Sequence, residues 1–302
     1  MISENGEKML KNIRIIPKLE IKGPNLVKGI HLEGLRVLGK PENFARYYYE
    51  SGADELIYMD VVASLYNRNS LHEIIERTAK EIFIPLVVGG GLRTIEDIRA
   101  VLRVGADKVA LNTAAIKNPG IIKEAANRFG SSTIIVSIEV IKQSDGTYLV
   151  YTDNGREYTG LDVRKWAIKA AEFGAGEILL TSVDREGAGI GYDIELTKMV
   201  SDAVSIPVIT CGGAGKVEDI KKVILDGNAD AVCVASMLHY GLIKKQVFEG
   251  ESYIEEGNIE YLKSGNNFSK IETADISEIK SYLTMNGIGC RYTEKKELLN
   301  AR

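Results

Sequence analysis

Two glutamates stand where an acid and a base could work: Glu20 in the run RIIPKLEI and Glu139 in TIIVSIEVI, each near the end of a β-rich apolar segment. Strand alternation puts Arg14, Ile16, Lys18 and Glu20 on one face of the first segment and Ile135, Ser137 and Glu139 on one face of the second. Carboxylates on opposite sides of one mouth can protonate and deprotonate different points of a substrate, and their separation spares them the like-charge coupling of a dyad. The same positions suit hydrogen bonding to ligand hydroxyls, or a purely structural role. Lys28, in the loop GPNLVKG, either reaches over a ligand or solubilises its loop. Asp60 and Asp184, at matching places further along, orient loops or substrate hydroxyls.

Glycines and hydroxyls supply a second kind of chemistry. Gly89, Gly90 and Gly91 close IPLVVGGG, and Gly212 and Gly213 close IPVITCGG. Without a Cβ, backbone N–H groups at such a turn approach an anion at the start of the following helix. Asn112 and Thr113 complete a first cradle with Gly91, and Ala235 and Ser236 complete a second with Gly212 and Gly213; Gly187, in the run REGAGIG, is assigned to the second. As cradles they imply an elongated ligand phosphorylated at both ends. As structure, they are only tight turns. A ligand with one phosphate leaves one cradle vestigial.

Arg14, Glu55, Lys108 and Glu177 begin their segments rather than end them. The six-residue step from Arg14 to Glu20 spans about 20 Å of strand at roughly 3.3 Å per residue, so this layer lies at the far end from the glutamates. Burying two cations and two anions there carries a desolvation penalty that apolar packing avoids. A polar ring closing an axial passage accounts for it; a salt-bridge plug is the alternative.

The elements that must hold these groups are eight short apolar runs: RIIPKLEI, ELIYMDVV, IPLVVGGG, KVALN, TIIVSIEVI, EILLTSVD, IPVITCGG and AVCVAS. Most are separated by helix-length amphipathic segments, which predicts a closed parallel (βα)₈ TIM barrel of the α/β class. In PENFARYYYESGA, Pro41 opens a helix, Phe44, Tyr47 and Tyr48 give its apolar face, and Gly52 ends it. Thr94, three residues before Asp97, predicts a capped helix start. Gly52 to Gly174 and Pro85 to Pro207 are both separations of 122 residues, and Asp107 to Asp230 is 123. Such offsets predict two similar half-barrels. One barrel over residues 1–302 is expected, with an N-terminal extension at 1–10 and an insertion, lid or plain surface excursion at 246–272 before a last helix from Ile276 to Leu283.

Composition bounds the partners. Thirty-eight basic and 42 acidic side chains among 302 residues leave no broad positive field for a nucleic acid. Cys211, Cys233 and Cys290 have no C-x-x-C spacing, and His31, His72 and His239 are scattered, so no metal site is expected. No cofactor is expected either. The polar start MISENGEKML is no signal peptide and no run approaches membrane-spanning length, which predicts a cytoplasmic protein without a membrane partner. The tyrosines Tyr47 to Tyr49 and Trp166 are expected to pack helices on the barrel. Cys211 lacks a neighbouring histidine that would make it a nucleophile.

The ordered runs RIIPKLEIKGPNLVKG, GADELIYMDVVAS, IPLVVGGG, GADKVALNTAA, VSIEV, GAGEILLTSVDREGAGIGYD, IPVITCGGAGK and NADAVCVAS resemble the cyclase subunit of imidazole glycerol phosphate synthase, over about residues 11–240 and again at the terminal helix. That resemblance implies a barrel that takes ammonia from a class I glutaminase at its lower face and passes it along its axis. At the top the ammonia splits a ribulose-type aminoimidazole carboxamide nucleotide into imidazole glycerol phosphate and an aminoimidazole ribotide. It further implies that Arg14, Glu55, Lys108 and Glu177 form the ammonia gate, that Asp107 and Lys108 lie at the glutaminase docking face, and that Lys28 is a mobile-loop lysine. The mouth departs from the family: Glu20 and Glu139 replace two catalytic aspartates, Lys18 replaces a common cysteine, and REGAGIG stands where R-D-G-T is usual. The doubled change beside an intact gate favours a paralogue of the kind encoded with surface-polysaccharide genes, supplying ammonia to a sugar amidotransferase that turns an acetamido into an acetamidino group. The histidine-pathway cyclase is the alternative.

Overall fold

Strand β1 (Arg14–Lys22) is buried continuously from Ile15 to Ile21, as a parallel strand must be when helices cover one face and other strands' side chains fill the other. It pairs in parallel with β4 (Leu56–Asp60) on one side and β12 (Ala231–Val234) on the other. From β4 the ladder continues through β5 (Leu86–Gly89), β6 (Lys108–Leu111), β7 (Ile134–Lys142), β10 (Glu177–Ser182) and β11 (Val208–Cys211) to β12, closing a ring of eight parallel strands. This is the expected (βα)₈ barrel. The computed structural model describes residues 12–63, 71–245 and 271–291. The extension expected at 1–10 lies outside them, as does all of the 246–272 segment except Ile271 and Glu272.

Four strands were not foreseen. After β1 the chain forms an antiparallel hairpin, β2 (Asn25–Ile30) and β3 (Glu33–Gly39), and after β7 a second, β8 (Tyr148–Thr152) and β9 (Glu157–Asp162). The segment GPNLVKG is therefore largely strand, not loop. His31 and Leu32 both take positive φ between paired Ile30 and Glu33, the backbone of a two-residue hairpin turn. Asp153, Asn154 and Gly155 turn the second hairpin, all with positive φ. The D-N-G sequence is the readable signal for it.

The internal repeat recurs in the hydrogen bonding. Leu56 N–H donates to the Pro85 carbonyl at 2.9 Å, and Ile178 N–H to that of Pro207 at 2.9 Å. Asp107 and Asp230 each accept the N–H opening the neighbouring strand, Leu86 at 2.9 Å and Val208 at 3.0 Å. Asp107 thus pins a strand start while its residue stays exposed at the lower face.

The helices follow their sequence signals. In the helix Pro41–Glu50, Pro41 occupies the first turn and Phe44, Ala45 and Tyr48 are buried. Thr94 caps the helix Ile95–Arg103 through a reciprocal box with Asp97. The last helix runs Ile276–Met285, and Trp166 is buried on the helix Val163–Glu172. Inside the barrel, Ile16, Ile57, Val87, Ala110, Ile135, Leu179, Ile209 and Ala231 form an apolar belt, joined by Cys211 and Cys233. That belt separates the two polar layers. No helix among the described residues is long and apolar enough to cross a membrane.

Candidate active site

The residues at the strand starts close into a ring. Arg14 bridges Glu55 at 2.7 Å and also contacts Glu177; Lys108 bridges Glu55 at 2.8 Å and Glu177 at 2.6 Å. Charges alternate around it, so each carboxylate touches both cations. Burial opposes ionisation of Glu177, but Arg14 and Lys108 outweigh it and hold its pKa below the usual carboxylate value. Burial likewise opposes the charges of Arg14 and Lys108, yet the two glutamates keep both pKa values raised. Arg14, Lys108 and Glu177 therefore remain charged at neutral pH.

At the opposite end, strand alternation carries Lys18 and Glu20 into the mouth as expected, both buried. Glu20 is clamped: Lys18 donates to Oε1 at 2.9 Å and Lys28 to Oε2 at 2.8 Å. Desolvation works against its charge, but the two lysines prevail and hold its pKa far below the ordinary value. Lys28 does not solubilise a loop. It lies on β2, is 1% exposed, and also bonds Glu186. Glu186 escaped sequence reasoning because the run REGAGIG drew attention for what it lacked rather than for its acid.

Glu139 meets the opposite environment. Half-buried, it accepts the Gly155 N–H at 2.7 Å from the turn of the second hairpin. Burial pushes its pKa up to about 7, with the Gly155 N–H, Lys18 and Asn112 opposing the rise. One carboxylate is therefore fixed as an anion and the other titrates near neutrality, the separation of roles that acid–base sites use.

Beside Glu139 lies a cavity of about 330 Å³ lined by Gly90, Gly91, Asn112, Thr113 and Ser137, among others. The first expected cradle is thus brought together. Arg93 and Lys117 share the lining with Asp60 and Asp153. Asn112 Oδ1 is buried without a hydrogen-bond partner among the described residues. The Thr113 hydroxyl meets Asp153 of the hairpin turn, 3.4 Å from its carboxylate. The second expected cradle is more crowded. Ser236 is buried at the first position of the helix Ser236–Lys244, just after Ala235. Gly191 N–H donates to the Gly213 carbonyl at 2.8 Å, and Gly187 backs closely onto the Gly29 carbonyl. Here the tight-turn role of the glycines is plain. The two aspartates at matching positions orient loops: Asp60 accepts Val62 N–H at 3.1 Å, and Asp184 accepts Lys142 N–H at 2.8 Å.

His239 ties the mouth to a helix. Its Nδ1 meets the Tyr48 hydroxyl at 2.6 Å and its Nε2 the Lys18 carbonyl at 3.0 Å, while burial pushes its pKa down to about 3. It is a neutral wedge behind Lys18.

The glycine turn at the open cradle gives a direct test. Gly90 has φ +96°, and a Cβ there would lie 2.2 Å from the Asp60 carbonyl oxygen. Gly90→Ala is expected to lower stability by about 2 kcal/mol or more through strain and displacement together, read by denaturant unfolding. A loss below about 0.5 kcal/mol would show that the turn relaxes freely.

Known proteins align with the same stretch of chain. Residues 14–244 match the family described as histidine biosynthesis protein. The imidazole glycerol phosphate synthase subunit HisF of Legionella pneumophila is 59% identical over 210 residues, covering 70% of this chain and 99% of that protein. The subunit of the same name from Alkaliphilus metalliredigens (strain QYMF) is 47% identical over 227 residues, covering 75% of this chain and 90% of that protein.

Proposed function

The chain belongs to the histidine biosynthesis protein family, among relatives named as imidazole glycerol phosphate synthase subunits, and from that membership we propose that it is the cyclase barrel of such a synthase. In this reading it works with a class I glutaminase at its lower face, receives ammonia there, and applies it at the mouth to the ribulose-type nucleotide. The names of the relatives reverse the order of the two readings that the mouth's glutamates suggest from sequence.

The observation that carries the proposal is one stack of layers along the barrel axis. A closed charged ring spans the strand starts, an apolar belt lies above it, and a carboxyl with a pKa of about 7 borders a cavity at the strand ends. Neutral ammonia crosses an apolar belt more easily than ammonium does, because a charge loses its hydration there. Glu139 is the group placed to give and take a proton at neutral pH. The phosphorylated ligand would seat at Gly91, Asn112 and Thr113, with Gly187, Gly212, Gly213, Ala235 and Ser236 at the other end. Asp107 and Lys108 would meet the glutaminase.

The clamp on Glu20 favours a second reading, in which the barrel conducts ammonia to a separate sugar amidotransferase. A carboxylate bonded by two lysines is a poor base. Ammonium-dependent turnover of the nucleotide by the purified chain separates the two. A rate of about 1 per second or more is expected for the cyclase. Undetectable turnover, with a glutaminase still co-eluting in size-exclusion chromatography, would transfer the assignment to the second reading.

A further inference from the structure

Cys211 and Cys233 stand 22 positions apart in the chain and side by side in the barrel. β11 and β12 pair in parallel with Ile209 opposite Ala231 and Thr210 opposite Val232, and the next step of that register sets Cys211 opposite Cys233. Strand alternation gives them the inward face of Ile209 and Ala231, and both join the apolar belt. Neighbouring strands lie about 4.8 Å apart, within the window of about 4.4–6.8 Å between Cα atoms that a disulfide spans. Inside a closed barrel, inward Cβ vectors also converge on the axis, which brings neighbouring side chains closer than their backbones. Both residues are free thiols, buried but not sealed, at 3% and 2% exposure. Cys290 lies out of reach. It bridges to Ile13, whereas Cys233 pairs with Ile16, so three strand residues, roughly 10 Å, separate it from the pair along the barrel.

The two thiols are also chemically uneven. Cys233 beside it lowers the Cys211 pKa, with burial opposing and Lys18 helping, while burial first and Cys211 second push Cys233 well above the ordinary thiol value. The pair therefore gives up its first proton more readily than its second. A thiolate is the form that attacks an oxidant, and here a second thiol and a lysine favour it where no histidine does.

We propose that Cys211 and Cys233 form a modification site, a dithiol in the barrel wall that a small hydroperoxide converts to a disulfide between β11 and β12. One thiolate attacks the O–O bond of hydrogen peroxide and becomes a sulfenic acid, and the departing hydroxide takes a proton to leave as water. The other sulfur then attacks the sulfenic sulfur, forming the S–S bond and releasing a second water. In sum, one peroxide is reduced to two waters and the two thiols are oxidised, each giving up its hydrogen. The bond ties the strand end that leads into Gly212 and Gly213 to the one that leads into Ala235 and Ser236. It forms whichever reaction the mouth performs.

Intact-mass spectrometry of the folded, purified full chain after treatment with an equimolar amount of hydrogen peroxide tests it. The mass should fall by about 2 Da, and thiol titration after denaturation should drop from all three cysteines to Cys290 alone. Peptide mapping should place the bond between Cys211 and Cys233, dithiothreitol should reverse it, and Cys290→Ser should form it unchanged. Cys211→Ser and Cys233→Ser each remove the partner that favours the first thiolate, so each should consume peroxide about tenfold more slowly than the native chain. A packing role alone predicts no such change. Three thiols that survive the treatment, a bond that includes Cys290, or oxygen added without loss of the two hydrogens would each overturn the proposal. So would single variants that consume peroxide as fast as the native chain.

Discussion

Glu139→Gln is expected to lower ammonia-dependent turnover by about 10²- to 10⁴-fold, the range that a positioned general acid or base supplies. The amide keeps the shape and can still accept the Gly155 N–H, which lies 2.7 Å from the carboxylate, so binding should change little and the loss should fall on kcat. Native kcat/KM should show a limb with an apparent pKa near 7, the value to which burial raises Glu139, and the residual activity of the variant should lack it. Stability should move the other way. A carboxyl whose pKa rises on folding, here from 4.5 to about 7, contributes stability that is full below pH 4.5 and lost as pH rises through 7. The variant should therefore melt higher than the native chain at pH 8 and show no such advantage at pH 5. A kcat within about threefold of native would remove Glu139 from the acid–base role.

The opposed states of Glu139 and Glu20 explain why the two looked alike in sequence. Both close strand faces set by simple alternation, and alternation is local. Their pKa values depend instead on what crosses the mouth. Glu20 is fixed by Lys28 from the hairpin, eight positions away, whereas Lys28 meets Glu186 across 158 positions. No spacing rule reports such a pairing. The four-carbon stem of a lysine also lets its ammonium reach charges that its strand position does not specify.

The lower ring was more legible because it uses strand starts alone. Arg14, Glu55, Lys108 and Glu177 each open a strand, and a closed barrel brings strand starts together whatever loops intervene. Arg14 and Glu177 meet across 163 positions for that reason. The hairpins were missed because their strands follow a barrel strand directly, where the barrel pattern calls for a crossover helix. Half-buried β3, with only Leu38 and Gly39 fully covered, gives a weak apolar signal. The D-N-G turn at Asp153 was the stronger clue. The hairpin it forms supplies the N–H that holds Glu139, so the geometry at Glu139 rests partly on an element that the eight-strand pattern does not contain.

Lys28→Met should be the most destabilising single change in the mouth. Methionine preserves much of the stem's volume, so the effect isolates the charge. It leaves Glu20 and Glu186 buried together with Lys18, which bonds Glu20 at 2.9 Å, as the remaining cation of the quartet. Removing one partner of a buried ion pair typically costs about 3–5 kcal/mol, which for a chain of this size corresponds to a melting point lower by roughly 10 °C. The pH dependence carries the diagnosis. Glu20 has a depressed pKa in the native fold, so its contribution is present above the ordinary carboxylate pKa and is lost as pH falls. Lys28→Met forfeits much of that contribution, so its deficit should stay wide from pH 8 down to about pH 4.5 and narrow only as pH falls below it. Adding Glu186→Gln should recover part of the loss at pH 8, because it removes one of the two stranded charges. A deficit under about 1 kcal/mol, or one that does not vary with pH, would mean that the clamp contributes packing rather than charge and that Glu20 is free to act as a base after all.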